Sequence, residues 1–168
     1  MRRVAKFRSL PGREKKLLCE ASILLLFSSI CVRAVAFKHI DRFLRTHWKD
    51  RVQGRIDREQ ESRLVRRSIS RAANVFPWKS LCLSRSIAEF IMLRRRGIPA
   101  VMLAGARFSD HSSLDAHAWV DTGLGAHDGS SENSRFAAVI RIGTEAVDRV
   151  SCSVPKQESL AGRSAQSN

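Results

Sequence analysis

The sequence lacks the paired cysteines of a disulfide framework or a structural zinc site. Its cysteines, Cys19, Cys31, Cys82 and Cys152, include no Cys-x-x-Cys pair. Cys19 and Cys31 fall on one predicted helix, about 18 Å apart at the usual helical rise, which is too far for a disulfide. We therefore expect free thiols, no metal ion, no cofactor and a location in the reducing cytoplasm.

Several well-known motifs and a long uncharged apolar run are also missing. There is no Walker loop, GxGxxG, HExxH or nucleophile-elbow serine. The uncharged run at residues 21–32 has twelve residues, whereas a helix that crosses a bilayer needs about 20. A buried core helix is the favoured interpretation of this run. A secretory signal or membrane anchor is the alternative, because a basic segment precedes the apolar one.

Acidic residues are scarce in the first part of the chain. Residues 1–99 contain 24 Lys and Arg against 8 Asp and Glu, whereas residues 100–168 contain 6 against 8, and the net charge is +14. This asymmetry predicts either solvated basic helix faces or an acidic partner, such as nucleic acid, an anionic membrane surface or an acidic peptide.

The hydrophobic pattern changes its period near residue 100. Helical spacing dominates the first part, with an amphipathic helix before Pro77 and another over residues 80–96 that Gly97 and Pro99 end. Short alternating or apolar runs at residues 100–107, 114–122 and 136–142 predict strands. The expected fold is α+β, with a small antiparallel sheet packed on a helix. We divide the chain into a helical region (1–75), a core domain (76–150) and a disordered tail (151–168).

A thiol and an imidazole fall at informative places in this pattern. Cys82 lies in the first turn of its helix, where unpaired backbone N–H groups favour a thiolate. Alternation along the second strand puts His117, Trp119 and Asp121 on one face. The strand could thus offer an imidazole to the thiol at the helix start. Taken singly, a cysteine or a histidine in such a position is more often structural than catalytic, and it is the joint arrangement that favours catalysis.

Three ordered segments carry a resemblance to a known family. Residues 78–86 (WKSLCLSRS), 93–100 (LRRRGIPA) and 116–121 (AHAWVD) follow one another at characteristic spacing. Over about residues 76–122, the chain resembles the transglutaminase-like cysteine peptidases of lasso-peptide biosynthesis, the leader peptidases of the microcin-processing family. The form it resembles is the split one, in which leader recognition belongs to a separate small protein.

The resemblance implies a fold, an activity and a set of site residues. The fold is the transglutaminase-like, papain-like α+β core, and residues 76–150 become its catalytic core. The activity is removal of a leader peptide by a cysteine peptidase, with Cys82 as nucleophile and His117 as base. Asp128 is the first choice for the acid that orients the histidine, and Asp121 is the alternative. Trp78 and Trp119 are candidates for the walls of the substrate cleft.

The same resemblance implies the partners. These are the precursor peptide, the separate leader-recognition protein and a macrolactam-forming cyclase, and no nucleic acid is expected. A transferase that uses the same acyl-enzyme remains open, since only the second nucleophile differs. The alternative from another class is a basic helical protein that binds nucleic acid, a membrane surface or an acidic peptide without catalysis.

Overall fold

The computed structural model describes residues 11–47, 57–75, 82–108, 114–124, 133 and 135–143. Within these ranges, four helices precede three strands. The helices are α1 (Gly12–Ala34), α2 (Phe37–His47), α3 (Arg58–Ala73) and α4 (Cys82–Arg95), and the strands are β1 (Val101–Phe108), β2 (Leu114–Asp121) and β3 (Ala137–Ile142). The strands form an antiparallel sheet in the order β2-β1-β3. The predicted α+β class is confirmed.

Helices and sheet share one hydrophobic core. Its fully buried side chains come from both halves of the chain: Leu25, Leu44, Val65, Phe90, Met92, Leu93, Ile98, Met102 and Ile142. The predicted boundary at residue 75 therefore separates segments that pack together. The predicted tail at residues 151–168 lies outside the described residues.

Helix α1 is longer than its uncharged run. It has 23 residues, and by length and composition alone it could cross a membrane, a property that core helices and signal sequences share. Leu17, Ala21 and Leu25 on its inner side are buried in the common core. The interpretation as a core helix is therefore confirmed for that side.

The end of α4 follows the predicted stop signal. Gly97 has a φ of 67°, which glycine adopts without steric cost. The N–H of Ile98 donates to the carbonyl oxygen of Leu93 at 3.1 Å, and the N–H of Gly97 donates to that of Arg94 at 3.0 Å. These two bonds are those of a Schellman motif, which directs the chain from α4 into β1.

Arginine–carboxylate pairs hold the helices against one another. Arg96, just after α4, pairs with Glu20 of α1 and Glu61 of α3. Arg66 of α3 pairs with Glu89 of α4 at 2.6 Å and also donates to the carbonyl oxygen of Val120 in β2 at 3.3 Å. Arg66 thereby ties α3, α4 and β2 together. Part of the excess arginine therefore has a structural use.

Candidate active site

The thiol of Cys82 lies beside the strand that carries His117. Cys82 is the first residue of α4, and its Sγ is 4.0 Å from the carbonyl oxygen of Ala116 in β2. Carbonyl directions alternate along a strand, so the carbonyls of Ala116 and Val120 point to the same edge. Both accept from groups outside the sheet, Cys82 and Arg66 respectively. The thiol is thus at the open edge of β2, next to the residue that precedes His117.

A hydrogen-bond contact with α1 holds the start of α4 in place. The buried Ser28 hydroxyl lies 2.9 Å from the carbonyl oxygen of Ser84 and 2.6 Å from that of Leu24. Ser84 is itself fully buried in the first turn of α4. A buried carbonyl that loses its hydrogen-bond donor costs free energy. The contact therefore fixes the position of the first turn of α4, which contains Cys82, relative to α1.

Alternation along β2 separates its side chains as the sequence predicts. Ala118 and Val120 are buried, and Val120 belongs to the common core. His117, Trp119 and Asp121 have the opposite parity and are half-buried. The imidazole therefore projects from the face of β2 that does not contribute to the core.

An aromatic cluster surrounds the imidazole. We define this cluster as His117, Trp119 and Phe136. The His117 ring stacks on Trp119 with centroids 5.9 Å apart and lies 5.1 Å from the ring of Phe136. Across the described residues, Cys82 and His117 form no hydrogen bond with each other. The thiol contacts the strand backbone at Ala116, whereas the imidazole packs against the rings of Trp119 and Phe136.

Gly105 makes room for this cluster. It pairs with His117 in the register of β1 and β2, and the pairing of β1 with β3 is irregular between Ala104 and Gly105. A Cβ at Gly105 would lie 2.5 Å from the carbonyl oxygen of Ala137 and 3.1 Å from the Trp119 ring. Only glycine lets β3 and the indole approach β1 this closely.

Arg107 and Asp115 extend the site, and sequence reasoning missed both. The Arg107 guanidinium lies 4.8 Å from the Phe136 ring centroid and pairs with Asp115 at 3.4 Å. Its Nε is buried and has no hydrogen-bond acceptor in the described part of the chain. The sequence feature that could have indicated Arg107 is its position as a single charged residue at the end of an apolar strand. Periodicity within one strand does not show which residues it will meet on the next.

Of the remaining predicted site residues, the structure describes Trp119 and Asp121. Trp119 lies in the cluster, as its place on the His117 face requires. Asp121 is four residues from His117 on the same strand, which separates their Cα atoms by about 13 Å. Its carboxylate accepts the N–H of Gly123 at 2.8 Å, closing the turn after β2. Asp128 and Trp78 lie outside the described residues, so both stay predictions.

Three free thiols lie in the described ranges, and they differ in surroundings. Cys19 is exposed on α1, whereas Cys31 and Cys82 are half-buried. The same ranges contain no group of three or more His, Cys, Asp or Glu residues arranged to hold a metal ion. Among these thiols, the one at the start of α4 is therefore the candidate for nucleophilic chemistry.

Comparisons with known proteins identify the family. A family model described as the transglutaminase-like superfamily matches residues 24–141, which is most of the chain and reaches from α1 into β3. No curated protein and no solved structure matches. The superfamily includes cysteine peptidases and transferases. The chain belongs to the transglutaminase-like superfamily.

Proposed function

We propose that this protein is a cysteine peptidase that removes the leader from a lasso-peptide precursor. The observation that carries the proposal is the 4.0 Å contact between the Cys82 Sγ and the Ala116 carbonyl oxygen. It joins the start of α4 to the strand position beside His117. Family membership supports acyl-transfer chemistry at a thiol, and the three motif segments support the narrower assignment to leader peptidases.

The proposed reaction uses Cys82 and His117 in two half-reactions. The His117 imidazole takes the thiol proton, and the Cys82 sulfur attacks the carbonyl carbon at the end of the leader. As the tetrahedral adduct collapses, the C–N bond breaks and the imidazolium gives its proton to the departing amine of the core peptide. The leader is now held as a thioester. Water attacks the thioester, releasing the leader carboxylate and restoring the thiol.

The backbone at the start of α4 has a part in this reaction. The N–H groups in the first turn of a helix have no intrahelical acceptor, and they favour negative charge. The N–H of Cys82 is therefore proposed as one donor to the oxyanion that forms on the attacked carbonyl. We propose that this donor stays aimed at the oxyanion oxygen because α1 and α3 pack against α4 and hold it in place.

Asp128 is proposed as the acid that orients His117, in preference to Asp121. A carboxylate that aligns an imidazole must reach it within about 3 Å. Asp121 is about 13 Å along the strand by Cα positions, and its carboxylate already accepts the Gly123 N–H. Asp128 follows the next turn in the sequence. Trp119 stacks on the imidazole, and we propose it, together with Trp78, as a wall of the substrate cleft.

The proposed partners are those of the split leader peptidases. They are the precursor peptide, a separate leader-recognition protein, and a cyclase that uses the released amine to close the macrolactam. The proposed location is the cytoplasm, where the thiol stays reduced.

The direct test is cleavage of a synthetic precursor peptide, containing leader and core, in the presence of a leader-recognition protein. The expected result is separation of leader and core, detected by mass spectrometry, and its loss in Cys82→Ala. Cys19→Ala is the matched control, because Cys19 is an exposed thiol on α1, and it should cleave at the wild-type rate. A folded Cys82→Ala variant that retains full cleavage contradicts the proposal.

Added hydroxylamine tests the proposed thioester. It should intercept the acyl group and give the leader as a hydroxamate when Cys82 is present. The same experiment separates hydrolysis from transfer, because water and an added amine compete for one intermediate. Exclusive transfer to amines, with no leader carboxylate formed, would favour a transferase over a peptidase.

A further inference from the structure

Helix α1 has a second apolar side that faces away from the core. Ile23, Leu26, Phe27 and Ile30 are exposed by 68%, 41%, 58% and 56% respectively. They follow the i, i+3, i+4, i+7 spacing of one helix face. We call these four residues the outer stripe of α1. Large apolar side chains grouped on one exposed face mark an interaction surface more often than isolated ones do.

The charges around this outer stripe are predominantly positive. At 100° per residue, Lys15 and Lys16 lie on the outward side at the start of α1, and Arg33 lies on it at the end. Glu14 lies on the opposite side of α1 and pairs with Arg71, whereas Glu20 lies beside Phe27 by the same geometry and is paired with Arg95 and Arg96. Within the described part of α1, the surface is therefore an apolar centre with cations at both ends, and the carboxylate beside it is paired with arginines.

We propose that the outer stripe docks on an anionic lipid surface, with α1 lying in the plane of the membrane interface. The apolar side chains enter the headgroup boundary, and the cations meet lipid phosphates. Four further cations, Arg2, Arg3, Lys6 and Arg8, precede α1 in the sequence. A peripheral attachment of this kind is compatible with a protein that acts in the cytoplasm.

Charge makes a second copy of the chain a poor occupant. In an antiparallel pairing of two α1 helices, Lys15 and Lys16 of one copy meet Arg33 of the other. In a parallel pairing, each cation meets its own counterpart. Both arrangements place like charges together beside an apolar contact, which disfavours association. A surface of anionic headgroups complements the same cations.

The core contacts of α1 favour an in-plane position over a membrane-spanning one. The helix passes the length and hydropathy criteria of a span, but 28% of its most apolar window is buried inside the protein. Leu17, Ala21 and Leu25 pack in the common core, and Ser28 contacts the Ser84 carbonyl at 2.9 Å. A spanning helix would lose all of these contacts, whereas a helix lying in the interface keeps them.

The test is co-sedimentation of the full chain with phosphatidylcholine vesicles that contain or lack phosphatidylglycerol. Wild type should bind the anionic vesicles more strongly and should lose affinity as salt increases. The double variant Ile23→Gln/Phe27→Gln should bind at least about tenfold more weakly, because two apolar side chains no longer enter the interface. Lys15→Gln/Lys16→Gln should weaken binding to anionic vesicles by about five- to thirtyfold.

Val139→Gln is the matched control, since Val139 on β3 is 74% exposed and lies outside the outer stripe. It should bind like wild type, and circular dichroism should show all variants folded. Equal binding by wild type and Ile23→Gln/Phe27→Gln would overturn the proposal. So would absence of vesicle binding together with a dimer, seen by analytical ultracentrifugation, that Ile23→Gln/Phe27→Gln abolishes.

This inference does not depend on the peptidase assignment. Cys82→Ala should bind vesicles like wild type, whatever its effect on peptide cleavage. Failure of vesicle binding and failure of cleavage are therefore separate results.

Discussion

Ala118 and Val120 point from β2 into the hydrophobic core, whereas His117 and Trp119 point from the same strand to the other face. The first pair is buried and purely apolar, and the second is half-buried and offers an imidazole, an indole and a neighbouring cation. One eight-residue strand thus serves packing on one face and the candidate site on the other. Substitutions one residue apart on this strand should therefore have different kinds of effect.

The largest expected effect is on activity, from His117→Ala. Removing the proposed base should lower kcat/KM for precursor cleavage by about 10³-fold or more. The free energy of unfolding should fall by only about 1 kcal/mol, since the loss is an aromatic contact on a half-buried face. Cleavage kinetics and urea denaturation measure the two quantities. His39→Ala, which removes an exposed histidine on α2, is the control, and equal activity of the two variants would contradict the assignment.

Asp128 and Asp121 should differ in their effect on activity. Asp128→Asn should lower kcat by about 10²-fold or more, because an amide does not stabilise the imidazolium as a carboxylate does. Asp121→Asn should leave kcat within a few-fold of wild type, since Asp121 closes a turn through Gly123. Single-turnover cleavage assays compare the two variants. The reverse ranking would make Asp121 the orienting residue and would require β2 to rearrange.

On the other face of the strand, the effect should be on stability. Val120→Ala removes two methyl groups from the common core, and we expect a loss of about 1–2 kcal/mol in the free energy of unfolding. Cleavage by the folded fraction should be unchanged. Urea denaturation and activity at low denaturant separate these outcomes. A Val120→Ala variant that is fully stable but inactive would contradict the assignment of packing to one face of β2 and activity to the other.

Gly105→Ala is expected to affect both faces together. The added Cβ would meet the Ala137 carbonyl oxygen at 2.5 Å and the Trp119 ring at 3.1 Å. Relief requires β3 or the indole to move, at about 1–3 kcal/mol. Thermal unfolding measures the cost, and tryptophan fluorescence reports any displacement of Trp119. Unchanged stability with an unchanged spectrum would mean that the cluster is looser than its geometry indicates.

The smallest effect concerns the pH dependence of stability. Burial raises the pKa of Glu89 from its usual 4.5, and the Arg66 guanidinium opposes this shift. Because the folded pKa exceeds the unfolded one, the neutral acid stabilises the folded protein below pH 4.5. This contribution is lost as the pH rises through the folded pKa. The stability of wild type relative to Glu89→Gln should therefore fall over that window in urea titrations, and a rise would contradict the burial effect.

Local patterns in the sequence were sufficient to predict where α4 ends and where the three strands begin and end. Gly97 and Pro99 ended α4 as predicted, and the strands begin and end within one or two residues of the expected positions. Alternation correctly separated His117 and Trp119 from Ala118 and Val120. These features depend on neighbouring residues, whose preferences the sequence shows directly.

Contacts between elements were not predictable in the same way. Phe136 meets His117 only because β3 pairs with β1 through the irregularity at Gly105. No pattern within either strand predicts how β1 and β3 are aligned with each other. The Arg66 bridge from Glu89 to Val120 likewise joins residues far apart in the chain. The outer stripe of α1 also escaped prediction, because an all-round apolar helix does not show which side the protein leaves uncovered.

Selective alkylation shows whether Cys82 and His117 act as a pair. Iodoacetamide is applied to the full chain across pH 5–9, and the modified cysteine is mapped by mass spectrometry, with exposed Cys19 as the internal reference. Cys82 should react faster than Cys19 at neutral pH, because the His117 imidazole takes the thiol proton. His117→Ala should remove this advantage. If Cys82 of the wild-type protein reacts no faster than Cys19, the two residues do not act as a pair. The same holds if His117→Ala leaves the faster reaction of Cys82 unchanged.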